Sequence, residues 1–206
     1  YVAREHGDIV TVSYLADVAV DLNAFGNSMN TRSTTHLLTY ADYVCLPEDG
    51  KRHEIIGGAH YMNPAPSTYH QYVSRRLQFQ LYSLIELKGL GSVIYAPVDV
   101  QLTENDIVQP DLVVVLTENR IITPSKVKGR PDHLIEILSP SSQSNDQVLS
   151  ENDERVGVGE YWIVDPFEHQ LEQLVLEQGG YVAREHGDIV TVSYLADVTV
   201  DLNSVW

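Results

Sequence analysis

Cysteine is almost absent: Cys45 is the single one in 206 residues. That excludes an intramolecular disulfide and a multi-cysteine zinc site, and it fits a reducing compartment. No apolar run reaches the roughly 18 residues that a membrane-spanning helix needs. Neither the segment starting at Tyr1 nor the one starting at Met29 is shaped like a signal peptide, so a soluble, cytoplasmic protein is the expectation. Positive charge is also scarce, with 13 Lys and Arg against 29 Asp and Glu, a net −16. Such a surface repels polyphosphate at long range and argues against tight non-specific nucleic-acid binding. It leaves room for a local basic groove, or for an acidic pocket that a divalent cation neutralises.

What is present is an ordinary globular composition, 43% hydrophobic and 20% charged, together with one long repeat. Residues 1–23 recur as residues 181–203 with a single change, Ala19 against Thr199. The offset is 180, and residues 29–206 plus the spacer Asn27-Ser28 also make 180. A solenoid repeats at much shorter periods. The expectation is therefore that residues 1–28 are a duplicated C-terminal segment of an upstream copy plus spacer, and that residues 29–206 form one domain. The two copies cannot fill one slot in one sheet. Sheet-edge pairing, including a homodimer through sheet edges or the duplicated hairpin, is one expected fate of the extra copy.

Along the chain, residues 37–46 have helical spacing, and Gly57-Gly58 between two strand-like runs signals a hairpin. Residues 67–88 carry the longest helical pattern, with an apolar stripe of Val73, Leu77, Leu81, Leu84 and Ile85 ended by Gly89 and Gly91. Residues 92–102 read as a strand broken or bent at Pro97. Residues 111–116 and 132–138 are apolar almost throughout, as strands buried on both faces are. Residues 146–156 form a polar helix and residues 160–164 a further strand. Residues 169–194 look like a β-meander with turns at Gly179-Gly180 and Gly187-Asp188. This order predicts an α+β or mixed α/β fold with a central mixed sheet flanked by helices and with C-terminal β-hairpins.

Two carboxylates stand where a fold does not ordinarily place them. Glu136 lies inside Leu134-Ile135-Glu136-Ile137-Leu138, and Asp111 opens the other apolar strand after Gln109-Pro110. A buried, unpaired carboxylate costs several kcal/mol or protonates. Glu136 is thus bonded to a cation or metal, or it points off a face that is not core. Adjacent strands would bring the two acids close together. Hard oxygen donors without cysteine suggest Mg²⁺ or Mn²⁺ over zinc. The alternative is that Asp111 is a turn residue and Glu136 a salt-bridged one.

Five blocks then occur in order: Arg52-His53-Glu54-Ile55-Ile56-Gly57-Gly58; Pro64-Ala65-Pro66-Ser67 with His70; Val108-Gln109-Pro110-Asp111-Leu112; Glu136-Ile137-Leu138-Ser139-Pro140-Ser141; and Gly157 through Pro166 with Glu160-Tyr161-Trp162 inside. Together they resemble the bacterial putative restriction endonuclease family of the PD-(D/E)XK nuclease superfamily, over about residues 37–203. The resemblance implies a restriction-endonuclease-like core and Mg²⁺-dependent hydrolysis of DNA phosphodiester bonds. It assigns Asp111, Glu136 and Glu54 as metal-holding acids. His70, on the long helix, reads either as a contact to the site or as a hydrogen-bonded helix histidine. Arg75-Arg76 is the best local basic pair for a phosphate, and Tyr69, Tyr72 and Tyr82 read as packing residues.

One family element departs from the pattern. The superfamily lysine would stand at position 138, which is Leu138, and the family's own position matches Ser150. The stretch Ser150-Glu151-Asn152-Asp153-Glu154 is also one residue short and lacks the expected tyrosine. Lys126, Lys128 and Arg155 are alternative cations at unexpected spacing. Two readings follow: a Mg²⁺-dependent endonuclease, or a catalytically inactive nuclease-fold module that binds DNA or protein.

Overall fold

The two apolar runs become β6 (Leu112–Leu116) and β8 (His133–Ile137), paired antiparallel in the middle of a six-stranded sheet. The structure is a computed structural model that describes residues 36–63, 65–139, 157–178 and 180–206. The chain divides into Tyr1–His36 and Leu37–Trp206, and the second unit is the one described below.

The six-stranded sheet has the order β11-β10-β9-β8-β6-β3, with β3 at Gly91–Tyr95, β9 at Glu160–Asp165, β10 at Gln170–Glu177 and β11 at Gly180–Arg184. Only β8 and β9 run parallel, so the sheet is mixed. Both of its faces are covered, which is why β6 and β8 lack polar alternation. Leu112, Val114, Ile135 and Ile137 point into one apolar cluster, while Val113, Val115 and Leu134 point into another.

The first cluster is closed by helix α2 (Thr68–Leu81) and the π-helical turn Tyr82–Glu86. Ser67 caps α2 by accepting the His70 N–H at 3.2 Å. Val73, Leu77, Leu81 and Ile85 recur every four residues and are fully buried, about 1.5–3 kcal/mol each in transfer terms. Gly89, at φ 72°, ends the run in the left-handed region. The second cluster is closed by a five-stranded sheet of order β2-β1-β5-β4-β7. Its strands are β1 (Arg52–Ile56), β2 (Ala59–Asn63), β4 (Val100–Gln101), β5 (Ile107–Val108) and β7 (Val127–Lys128). The β1–β2 turn is Gly57-Gly58 with φ of 58° and 78°, as the hairpin signal requires, and a Cβ on Gly58 would strike Leu37.

Three expectations need correction. The helix over residues 37–46 shrinks to α1 (Tyr40–Tyr43). Thr39 and Asp42 cap it, but it has no buried residue, and Leu37 and Val44 are exposed, so packing does nothing to lengthen it. The strand over residues 92–102 is divided at the cis Ala96–Pro97 bond, with β3 in one sheet and β4 in the other. The meander breaks at Gly187: β12 (Ile189–Thr191) pairs with β13 (Thr199–Asp201) and not with β11. Val190, Val192, Val198 and Val200 are buried in the α2-side cluster, and burying them draws this hairpin off the main sheet. The helix expected over residues 146–156, Ser150 and Arg155 within it, Gly179, and the first copy of the repeat lie outside the described residues. Among the described residues no helix is long and apolar enough to cross a membrane.

Candidate active site

Four elements deliver the site residues. In β1 the alternation of a strand puts Arg52 and Glu54 on one face and His53 on the other. Asp111 follows Pro110 and precedes β6, and Glu136 lies within β8. The register Leu112↔Ile135 and Val113↔Leu134, continued by one residue, sets Asp111 opposite Glu136. His70 comes from the first turn of α2. Glu54, Asp111, Glu136 and His70 are all buried.

Asp111 is held from three sides. Its Oδ2 accepts hydrogen bonds from His70 Nε2 at 2.9 Å and from the Ile137 N–H at 2.9 Å, and Arg52 Nη1 lies 3.1 Å from Oδ1. Burial opposes its ionisation, but the His70 hydrogen bond and charge, the Arg52 guanidinium and the Ile137 amide outweigh it and hold the carboxyl below its ordinary value. Glu54 accepts the Gln109 N–H at 2.7 Å on Oε1 and the Asn63 amide at 2.6 Å on Oε2. Its carboxyl is pushed upward by burial, against the pull of Arg52 and these two donors. Burial works against the Arg52 charge as well, but Glu136, Asp111 and Glu54 together keep the guanidinium firmly protonated. One arginine therefore lies within the field of all three acids.

All four residues named from the sequence meet here. His70 is buried and hydrogen-bonded to Asp111. Arg52 and Gln109 were not singled out as site residues. Arg52 stands two positions before Glu54, the strand spacing for a shared face, and that was its only signal. Gln109 bridges: its N–H binds Glu54, its carbonyl accepts from Arg52, and its amide bonds Tyr43 and Asp99 at 3.0 and 2.8 Å. No lysine of the described residues pairs with Glu54 or Asp111. Lys126 donates to Gln101 at 2.6 Å and sits 3.2 Å over the Tyr40 ring, and Lys128 lies on the edge strand β7 of the five-stranded sheet.

Three carboxylates, all hard oxygen donors, influence the Arg52 guanidinium, and burial already raises the Glu54 one. Among the described residues no three His, Cys, Asp or Glu side chains converge closely enough to ligate one ion. In this arrangement Arg52 supplies the positive charge. Arg52 Nε and His70 Nδ1 are buried without a hydrogen-bond partner.

A groove of about 580 Å³ opens beside the cluster, with Asp111 in its wall and Tyr72, Arg75 and Tyr95 among its lining residues. Arg76 is not half of a basic pair here, because it donates to the Val205 carbonyl at 3.1 Å and to that of Trp206. Tyr69 packs as expected, edge-on to Phe167 and hydrogen-bonded to His169 at 3.2 Å. Tyr72 does not: it is 52% exposed.

The fold is that of a nuclease from Anabaena variabilis, described as a putative nuclease belonging to DUF820, with a TM-score of 0.68 at 20% identity over 82% of this chain and 97% of that one. No curated protein matches the chain. Residues 40–203 match the Uma2 model, described as putative restriction endonuclease, and that span takes in every site residue above. The chain belongs to the Uma2 family of putative restriction endonucleases.

Proposed function

We propose that the protein is an endonuclease that hydrolyses DNA phosphodiester bonds with Mg²⁺ or Mn²⁺ held by Glu54, Asp111 and Glu136. The observation that carries this reading is the gathering of three buried carboxylates, from β1, the start of β6 and β8, around one arginine and beside an open groove. A purely structural acid has no need of that company. The bound ion would polarise the phosphate and make a bound water a better nucleophile. The protein groups have separate work. His70 and the Ile137 amide fix the Asp111 carboxylate in one orientation. Asn63 and the Gln109 amide do the same for Glu54. Arg52 offsets the mutual repulsion of the acids, and its unpartnered Nε is a further donor for an anionic oxygen.

A second reading, a catalytically silent module that binds DNA or protein, is favoured by one observation: serine stands at position 150 where the family pattern places lysine. Plasmid cleavage in Mg²⁺ and in Mn²⁺, with Asp111→Ala and Glu136→Ala alongside, separates the two. The endonuclease reading requires that wild type cuts and neither variant does. If wild type leaves the plasmid intact in both metals yet retards it on a gel, the silent module is the better description.

A further inference from the structure

We propose that the groove beside Asp111 takes a single-stranded stretch of DNA, with Tyr72 and Tyr95 stacking on its bases and Arg75 meeting its phosphate. This rests on the hydrolytic reading of the acidic cluster and names the form of DNA that reaches it. The groove runs between the exposed side of α2, which contributes Tyr72 and Arg75, and the end of β3, which contributes Tyr95, with Ala96 next to it. Its volume of about 580 Å³ lies in the range of pockets that enclose small molecules, roughly 300–1,000 Å³.

The chemistry of the walls points the same way. Tyr72 and Tyr95 are 52% and 59% exposed on opposite walls, although a tyrosine ring gains most from burial. Rings left open along a groove that leads to a carboxylate site are stacking platforms for bases, which bind without regard to sequence. Arg75 lies over the Tyr72 ring, 5.4 Å from its centroid, so the cation covers one face of that ring and a base would stack on the other. With Arg76 committed to backbone carbonyls and a net charge of −16, the protein has little electrostatic means of gripping a phosphate backbone here. Stacking must supply most of the affinity. Duplex DNA buries its base faces and offers none of that; an unpaired strand does.

Binding of a fluorescent single-stranded oligonucleotide to the full chain in EDTA, read by anisotropy, tests this without any cleavage. The expected order is single strand tighter than the matching duplex and tighter than an RNA strand of the same sequence. Tyr72→Ala and Tyr95→Ala should each weaken single-strand binding about 5- to 100-fold, as loss of one stacked base does, whereas Tyr72→Phe should bind like wild type. The salt slope should be shallow, about −0.7 for the single Arg75 contact. Equal or tighter duplex binding, tighter RNA binding, a steep salt slope, or alanine variants that bind like wild type would each overturn the proposal. Cleavage of duplex DNA that survives both alanine substitutions would sink the groove and leave the hydrolytic reading standing. Tyrosine-dependent binding by a protein that cuts nothing would do the reverse.

Discussion

The chain carries two buried carboxylate centres, one within the six-stranded sheet and one that it shares with β1 of the five-stranded sheet, and they are satisfied in opposite ways. Glu160, at the start of β9, is fully buried. Its Oε1 accepts from Trp162 Nε1 at 2.6 Å and Gln173 Nε2 at 2.7 Å, and its Oε2 from the Ser193 N–H at 2.8 Å and hydroxyl at 2.6 Å. All of these donors are neutral, they saturate both oxygens, and they tie β9 to β10 and to the segment after β12. At the other centre, Asp111, Glu54 and Glu136 gather an arginine and a histidine, one buried nitrogen of each has no hydrogen-bond partner, and Asp111 lines a groove. A carboxylate that only holds a fold is closed off with neutral hydrogen bonds, because that is the least costly way to bury it. Acids gathered with charged partners beside a groove are what the proposed hydrolytic site would use.

The contrast can be broken most forcefully at Arg52. Arg52→Met removes a guanidinium from three buried acids, and loss of one partner of a buried pair costs about 3–5 kcal/mol. Urea unfolding should show that loss in EDTA, with millimolar Mg²⁺ restoring part of it; no restoration by Mg²⁺ would mean that the acids do not accept a divalent ion. At the other centre, Glu160→Gln turns an acceptor-only group into one that faces its donors with an NH₂. That should cost roughly 3 kcal/mol, with no response to Mg²⁺ at all.

His133 supplies a third, pH-dependent comparison near Glu160. Its ring is buried, edge-on to Trp162 at 4.5 Å, and burial drives its pKa down to about 4 against the weaker pull of Glu160 and Asp132. A histidine with a lowered folded-state pKa favours the fold fully above its unfolded value of about 6.5. Stability is lost as pH falls from there toward about 4, because the unfolded chain takes the proton first. The loss should approach roughly 3 kcal/mol. Unfolding midpoints of wild type and His133→Phe, compared between pH 7 and pH 4.5, should converge as pH falls; parallel curves would contradict the assignment. The smallest expected effect is at the helix that carries His70: Ser67→Ala removes the α2 cap for about 1 kcal/mol, read as a small drop in the unfolding midpoint.

The sequence made some of this legible and hid the rest for physical reasons. Asp111 and Glu136 could be singled out because each interrupts a run of residues that bury on both faces, and α2 because its stripe repeats at a clean helical period. The five-stranded sheet could not be foreseen. β4, β5 and β7 are two residues each, too short to show any period. Residues 37–46 misled because apolar spacing suggests a helix whether or not anything packs against it. Arg52 stayed hidden because arginine at the head of a hairpin strand is most often solvated, and only the fold reveals that its strand face turns toward the acids. Glu160 stayed hidden for the complementary reason, since four neutral donors from scattered positions leave no local pattern.

The most direct measurement is the initial rate of DNA cleavage in Mg²⁺ for Asp111→Asn and Glu160→Gln side by side, each normalised to its folded fraction by circular dichroism. Asp111→Asn should lose about 10³-fold or more, the several kcal/mol that a displaced metal site withholds from the transition state, while Glu160→Gln keeps the wild-type rate per folded molecule. Equal rates for the two variants would contradict the division between a catalytic and a structural carboxylate centre.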